Sequence, residues 1–174
     1  GLELFGVEGG SYRADHIRVE DGYFTFDYHS PAHRLEGLQL SLPGRHNVEN
    51  ATAAITVALQ LGGKGEDIRR ALRSFRGIRR RFEFLHRSEN RAYIDDYAHH
   101  PEELRAAIGA AKELFPDREV TGIFQPHLFS RTRDFVDGFA RALEQLQPKV
   151  LLTLGAGDID LLRNPLKDYF GGKA

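Results

Sequence analysis

The sequence predicts an α/β fold in which a mostly parallel sheet is flanked by helices, preceded by a β-hairpin and a pair of helices. In the second half of the chain, an apolar stretch, a polar loop and an amphipathic helix follow one another three times. Strands that alternate with helices favour a parallel sheet covered on both faces. The first forty residues instead alternate apolar and polar side chains around an Asp-Gly pair, which is typical of an antiparallel hairpin.

Composition excludes several classes of protein. Of the 174 residues, 41% are hydrophobic and 28% are charged, and the net charge of −1 gives no basic field for binding nucleic acid. The chain has no cysteine, which excludes disulfides and thiolate metal sites. No apolar run approaches the roughly 20 residues that a membrane-spanning helix needs, and nothing resembles a secretory signal. We therefore expect a soluble, cytoplasmic protein without a membrane span.

In the first half, two strands are expected on either side of Asp21 and Gly22, because Asp-Gly suits the two positive-φ positions of a type I′ turn. A third strand is expected over residues 34–42 and ends before a Pro-Gly pair. Helical periodicity then begins with Asn47 as the expected N-cap and stops at a Gly-Gly pair. A second, shorter helix is expected in the segment "GEDIRRALRSF".

In the second half, "FEFLHR" and "RAYID" are expected to form strands joined by a turn. The three repeating units combine "AYID" with the helix "PEELRAAIGAAKELF", "VTGIF" with "RTRDFVDGFARALEQL", and "VLLTL" with "IDLLRNPLKDYF". We place a domain boundary near residues 75–80, which gives domains 1–77 and 78–174. Because each polar loop follows its strand, the three loops should open at the same edge of the sheet, where such folds bind ligands.

The loop "DDYAHHP" after the first of these strands is the richest in polar groups. Helix capping explains part of it, with His100 as N-cap and Pro101 at the first helical position. The remaining polar residues lie at the end of a buried strand, where desolvation is costly: Asp95, Asp96, Tyr97 and His99. A metal site, an acid/base pair and an amino-acid-binding loop all remain open, although adjacent histidines in an extended segment point in opposite directions.

The other polar segments admit both a structural and a functional interpretation. In "FQPHLFSRTRD", Ser130 or Thr132 would cap a helix, while Arg131 and Arg133 suit an anionic ligand. The segment "LGAGDID" contains only a weak glycine-rich pattern, and Asp158 as a helix cap is the favoured interpretation.

Two further segments lie near the expected boundary. Asn47 and Asn50 fall on one helical face next to His46, where amides would suit a purine edge or a phosphate. Three consecutive arginines, residues 79–81, form either a solvated turn or a contact to a nucleotide phosphate.

The order of these segments carries more information than any one of them. The succession "GRHNVENATAA", "RRRFEF", "DDYAHHPEE", "FQPHLFSRTRDF" and "LTLGAGDID" resembles the Mur ligase family, and within it the branch that adds L-alanine. The resemblance implies a cytoplasmic, ATP-dependent ligase of peptidoglycan synthesis that uses Mg²⁺. Its partners would be UDP-N-acetylmuramate, L-alanine and ATP. The carboxylate of the UDP sugar would be activated as an acyl phosphate, which the amine of alanine then attacks. Residues 1–77 would then be the end of a central ATP-binding domain and residues 78–174 much of the C-terminal domain that closes over ATP and the amino acid.

The resemblance also implies roles for individual residues. Those on the segment that meets the adenine nucleotide are His46, Asn47 and Asn50. Catalytic roles fall on Arg81, which would reach the phosphates, and on Asp96. Substrate binding falls on Tyr97 and His99 in the amino-acid loop and on Arg131, which would hold a carboxylate.

The chain departs from the family pattern in two respects. It lacks the Gly-Lys-Thr phosphate loop and the magnesium ligands of the central domain, so we expect no metal site within it and no activity from this chain alone. The stretch around 146–149 is also shorter than in the family. Three other functions stay open: a recycling ligase that attaches a whole peptide to the same UDP sugar, a non-catalytic nucleotide-binding domain, and a metal hydrolase built on the "DDYAHHP" loop.

Overall fold

The computed structural model describes residues 4–146 and 151–155, and it confirms the α/β class expected from the sequence. The chain divides into two compact units, Gly1–Arg76 and Gly77–Ala174. Each unit contains one four-stranded sheet, and helices contact both sheets. Among the described residues, no helix is both long enough and apolar enough to cross a membrane.

The sheet of the first unit has the strand order β1-β2-β3-β4. Its strands are β1 (Phe5–Val7), β2 (Tyr12–Glu20), β3 (Tyr23–His29) and β4 (Arg34–Leu40). Strands β2, β3 and β4 pair antiparallel, whereas β1 runs parallel to β2. This short parallel edge strand has no counterpart in the sequence pattern, because three residues are too few to show a periodicity.

The β2–β3 hairpin has the turn expected from the sequence. Asp21 has φ 51° and Gly22 has φ 78°, the two positive values that a type I′ turn requires. The alternation then buries Phe24, Phe26 and Tyr28 completely on β3. These aromatic side chains form the core of the first unit.

Two helices complete this unit, α1 (Arg45–Gln60) and α2 (Gly65–Ser74). Asn47 as N-cap was wrong, because α1 begins at Arg45 after Gly44, which has φ 109° and ψ 140°. Glycine adopts that conformation readily, so the helix starts before the expected residue. The Asn47 side chain instead donates its Nδ2 to the carbonyl of Pro43 at 2.6 Å.

The sheet of the second unit has the order β5-β6-β8-β7. Its strands are β5 (Glu83–Arg87), β6 (Ala92–Asp96), β7 (Thr121–Gln125) and β8 (Leu151–Gly155). Only β5 is antiparallel to its neighbour, so the sheet is mostly parallel as expected. Asp96 and Phe124 both pair with Leu154, which puts the ends of β6 and β7 at the same level. The loops after these two strands therefore open at one edge of the sheet.

The helices of the second unit are α3 (Pro101–Leu114), α4 (Phe129–Asp134) and α5 (Val136–Leu143). The single helix expected after β7 is in fact two, broken at Phe135, which has φ −122° and ψ 22°. The ring of Phe135 contacts the ring of His100 at 4.9 Å between centroids, a tertiary contact that the local sequence does not encode. The expected helix "IDLLRNPLKDYF" and its cap Asp158 lie outside the described residues.

Candidate functional site

Strand β6 places the polar loop that follows it at the edge of the second sheet. All five of its residues are buried, because β5 and β8 pair with it on either side. Its last two side chains, Asp95 and Asp96, are 2% and 8% exposed. Buried carboxylates of this kind need close polar partners.

Asp96 joins two backbone segments. Its Oδ2 accepts a hydrogen bond from the N–H of Phe82 at 2.7 Å, and its Oδ1 accepts one from the N–H of Ala98 at 2.7 Å. Burial raises the pKa of the Asp96 carboxyl above its ordinary value, against these two hydrogen bonds and the nearby charge of Arg81. This geometry supports a role in fixing the loop.

Two of the three consecutive arginines, Arg80 and Arg81, differ in how far their side chains are buried. The guanidinium of Arg80 stacks over the ring of Tyr97 at 4.9 Å and lies 3.6 Å from a carboxylate oxygen of Asp95. Its side chain is only 17% exposed. The side chain of Arg81 is 49% exposed, so its guanidinium is accessible to a ligand in a way that Arg80 is not.

Tyr97 and His99 are brought together after β6. Their rings meet edge to face at 5.1 Å between centroids. His99 Nδ1 lies 2.9 Å from the carbonyl oxygen of Tyr97, and the His99 side chain is 24% exposed. The loop is therefore folded on itself but still reaches solvent.

Glu103 belongs to the same group, although it was not among the site residues expected from the sequence. Its Oε2 accepts the backbone N–H of His99 at 2.9 Å and lies 3.2 Å from His99 Nδ1, while its Oε1 lies 3.7 Å from Nη1 of Arg81. Although burial acts in the opposite direction, the hydrogen bond from His99 and the charges of His99 and Arg81 lower the pKa of Glu103. The signal available in the sequence was its position four residues after His99. We name the cluster of Arg81, Asp96, Tyr97, His99 and Glu103 the β6 loop cluster.

The start of α3 follows the capping expected from the sequence. His100 is the N-cap and accepts the backbone N–H of Glu102 through its side chain at 3.4 Å, and Pro101 is the first helical residue. A cavity of about 400 Å³ lies beside this helix end, and Arg133 is in its wall. Arg131 is partly exposed on α4, and among the described residues no hydrogen bond or ion pair joins its side chain to the β6 loop cluster.

The expected nucleotide-binding residues lie in the first unit, in the first two turns of α1. Val48 and Ala51 bury the inner face of this helix, whereas His46 and Asn50 are exposed and Asn47 is half-buried. The three polar side chains thus lie close together along the chain at one helix end, as helical spacing predicts.

A second polar group in the first unit was not anticipated. Ligand atoms of Asp15, His16 and Asp27 lie within 4.8 Å of one another on β2 and β3. Both carboxylates have other partners, since Gly37 N–H donates to Asp27 Oδ1 at 2.7 Å and Arg13 Nε donates to Asp15 Oδ2 at 3.3 Å. Asp15 and Asp27 face each other across the two strands, where like charges repel, and His16 lies 2.9 Å from Asp27 and reduces that repulsion.

Comparison with known proteins gives the family. Residues 80–167 match the family model described as Mur ligase, glutamate ligase domain. The UDP-N-acetylmuramate–L-alanine ligase of Flavobacterium johnsoniae is 46% identical over 147 residues, which cover 84% of this chain and 33% of that protein. The ligase of the same name from Porphyromonas gingivalis is 47% identical over 143 residues, covering 82% and 31%. The chain thus spans about a third of the length of the curated relatives it matches.

Solved structures share the fold. The UDP-N-acetylmuramate–alanine ligase MurC from Thermotoga maritima superposes with a TM-score of 0.85 at 28% identity, covering 99% of this chain and 49% of that one. The MurF ligase of the same organism, in complex with ADP, has a TM-score of 0.78 at 17% identity and the same coverage, a likeness of fold alone. Since the family model matches half of the chain, and named ligases align along most of it, the chain belongs to the Mur ligase family.

Proposed function

We propose that the chain is part of an ATP-dependent ligase that joins L-alanine to UDP-N-acetylmuramate in peptidoglycan synthesis. The observation that carries this proposal is the β6 loop cluster, in which a half-exposed arginine, a carboxylate and an aromatic–histidine pair converge at the carboxyl end of a parallel strand. The names of the curated relatives support the substrate pair. Both the nucleotide and the UDP sugar would place the reaction in the cytoplasm.

The chemistry needs a nucleophilic amine held next to an activated carboxyl group. A carboxylate oxygen of the sugar substrate attacks the γ-phosphorus of ATP and ADP leaves. The amine of L-alanine then attacks the acyl carbon, phosphate leaves with the bonding electron pair, and the amine loses a proton. Arg81, whose guanidinium is accessible, would neutralise the charge on the phosphoryl oxygens. Tyr97 and His99 would hold the amino acid close to the acyl carbon.

For the nucleotide, we propose His46, Asn47 and Asn50 at the start of α1. The Nδ2 of Asn47 is engaged with Pro43, so its Oδ1 is the group left to accept a hydrogen bond, whereas the Asn50 side chain is exposed. The ADP in the solved MurF complex is consistent with an adenine nucleotide as co-substrate. Arg131 is proposed to hold a substrate carboxylate, on the strength of guanidinium geometry and the resemblance of its segment.

The residues of the β6 loop cluster do not fit a magnesium site. Mg²⁺ takes carboxylate oxygens in an octahedral shell, but both oxygens of Asp96 accept backbone hydrogen bonds and Glu103 is held by His99 and Arg81. This argues against the metal-hydrolase alternative for the loop. We therefore assign no catalytic step of this chain to a metal.

The acceptor separates the two ligase alternatives. The full-length protein would be incubated with ATP and UDP-N-acetylmuramate, with either free L-alanine or a tripeptide that begins with L-alanine, and the products identified by mass spectrometry. We expect the alanine adduct, one ADP and one phosphate per turnover. Preference for the tripeptide would assign the protein to the recycling ligases, and no adduct from either acceptor would favour a non-catalytic nucleotide-binding protein.

A further inference from the structure

Glu103 contacts two residues to which the proposed function gives different tasks. One carboxylate oxygen meets the backbone and the ring of His99, at 2.9 Å and 3.2 Å, and the other meets Arg81 at 3.7 Å. His99 is proposed to hold the amine and Arg81 the phosphoryl oxygens. A single carboxylate thus connects the groups that would hold the two reacting partners.

The surroundings of His99 select the tautomer of its ring. The carbonyl oxygen of Tyr97, 2.9 Å from Nδ1, can only accept a hydrogen bond, and the Glu103 carboxylate, 3.2 Å away, is also an acceptor. Nδ1 must therefore carry the proton. In the neutral ring this leaves the lone pair on Nε2, which makes no hydrogen bond to any residue that the structure describes.

Glu103 also caps the start of α3, and this structural role must be distinguished from its contacts with His99 and Arg81. It is the third helical residue after the N-cap His100, the position from which Glu or Gln accepts backbone N–H groups at a helix start. The backbone N–H groups of His99 and His100 both contribute to lowering the pKa of Glu103, as capping requires. Capping alone, however, accounts for neither the contact with the His99 ring nor the contact with Arg81.

We propose that Glu103 is a positioning residue of the ligation reaction. It holds the His99 ring as the Nδ1–H tautomer, so that Nε2 presents an acceptor to the amine of the incoming amino acid, and it restrains the Arg81 guanidinium. The catalytic purpose of this arrangement rests on the proposed function. The tautomer of the His99 ring, in contrast, follows from the geometry of the loop alone.

Three variants of the full-length protein separate positioning from capping. Glu103→Gln keeps a carbonyl oxygen for the backbone N–H groups but removes the charge that faces His99 and Arg81. Glu103→Ala removes both. The matched control is Glu102→Gln, which removes an equal charge from the same first turn. Glu102 pairs with Arg105 at 2.6 Å and forms no ion pair with His99 or Arg81 among the described residues.

The first readout is the protonated ring nitrogen of His99, measured by proton–nitrogen-15 correlation of labelled histidine and assigned with a His99→Gln variant. We expect Nδ1 to be protonated in the wild type and in Glu102→Gln. In Glu103→Gln we expect part of the population to carry the proton on Nε2, because the carbonyl oxygen of Tyr97 is then the one remaining strong acceptor that favours the Nδ1–H tautomer. Protonation at Nε2 in the wild type, or no change in Glu103→Gln, would overturn the proposal whether or not the protein is a ligase.

The second readout is steady-state kinetics with thermal unfolding. For Glu103→Gln we expect kcat to fall by about tenfold or more, because a misplaced reacting group is costly, with a raised KM for L-alanine and a Tm close to the wild type. Glu103→Ala should lower both kcat and Tm. If only Tm responds in either variant, Glu103 is a cap and nothing more. If the wild type ligates no amino acid, the proposed function fails, and the histidine spectrum still decides the tautomer.

Discussion

Asp96 connects the segment before β5 to the loop after β6 through its two carboxylate oxygens. Its two donors, Phe82 and Ala98, are both buried. An aspartate at this position fixes the conformation of the loop that follows β6, because the chain leaves the sheet at this residue. The side chain therefore shapes the site even though both of its oxygens already have partners in the protein.

Replacing Asp96 by Asn should destabilise the protein. The amide NH₂ would face one of two backbone N–H donors, and an unsatisfied buried donor costs about 1–3 kcal/mol. Urea unfolding of the Asp96→Asn variant would measure the loss, with Asp117→Asn, at an exposed position, as the matched control. Equal unfolding free energies for the two variants would contradict the stabilising role of the two Asp96 hydrogen bonds.

Asp27 predicts a pH dependence in the first unit. Although burial opposes it, the N–H of Gly37 and the His16 ring lower the pKa of Asp27 below its ordinary value of 3.8. A carboxyl group with a lowered folded-state pKa stabilises the fold above 3.8, and this stabilisation is lost as the pH falls through the folded-state value. Asp27→Asn should therefore lower the unfolding free energy at neutral pH, and the difference from the wild type should shrink on acidification below 3.8. A difference independent of pH would contradict this assignment.

Single residues show where sequence reasoning was sufficient and where it was not. His100 as N-cap and Pro101 as first helical residue were predictable, because capping depends on neighbours within one helical turn. The difference in burial between Arg80 and Arg81 and the contact between Glu103 and Arg81 were not. Both depend on segments that are distant in sequence and meet only when β5 pairs with β6.

Strands and helices were predicted best where the signal is local. The β2–β3 hairpin follows from Asp21 and Gly22, and the parallel strands follow from their apolar runs. The start of α1 was missed because the conformation of Gly44 extends the helix toward the N-terminus. The break between α4 and α5 was missed because no Pro or Gly marks it in the local sequence; it falls at Phe135, whose ring contacts His100.

Helix α3 offers a test of packing at a single position. A methyl group added at Gly109 would meet no atom within 4 Å, and alanine is favoured over glycine in a helix interior by about 0.5–1 kcal/mol. Gly109→Ala should therefore raise the unfolding free energy by that amount. Gly63, which lies after α1 in the first unit, provides the opposite case. Gly63→Ala should lower the unfolding free energy, because the added Cβ would lie 2.7 Å from the carbonyl oxygen of Ala58. The same sign for both variants in urea unfolding would contradict the described packing.

The molecule consists of two compact units that carry different parts of the proposed chemistry. The expected nucleotide residues lie on α1 in the first unit, and the β6 loop cluster lies in the second. Family membership follows from the match over residues 80–167, but the activity of a whole ligase remains our proposal, since the chain spans about a third of its curated relatives.

The 174-residue chain by itself should be inactive. It contains no Gly-Lys-Thr phosphate loop, and the β6 loop cluster does not fit a magnesium ion. Mass spectrometry of mixtures with ATP, UDP-N-acetylmuramate and L-alanine should detect no adduct with the isolated chain, while the full-length protein forms one. Adduct formation by the isolated chain would show that the activation chemistry resides within these residues.

We propose that Tyr97 and His99 of the β6 loop cluster bind the amino acid, while the start of α1 binds the adenine nucleotide. The most direct measurement compares KM values for L-alanine and for ATP in His99→Ala and Asn50→Ala variants of the full-length protein. We predict that His99→Ala raises KM for L-alanine and leaves KM for ATP unchanged, and that Asn50→Ala does the reverse. If His99→Ala leaves KM for L-alanine unchanged, or if both variants alter both constants equally, the assignment of the two sites is wrong.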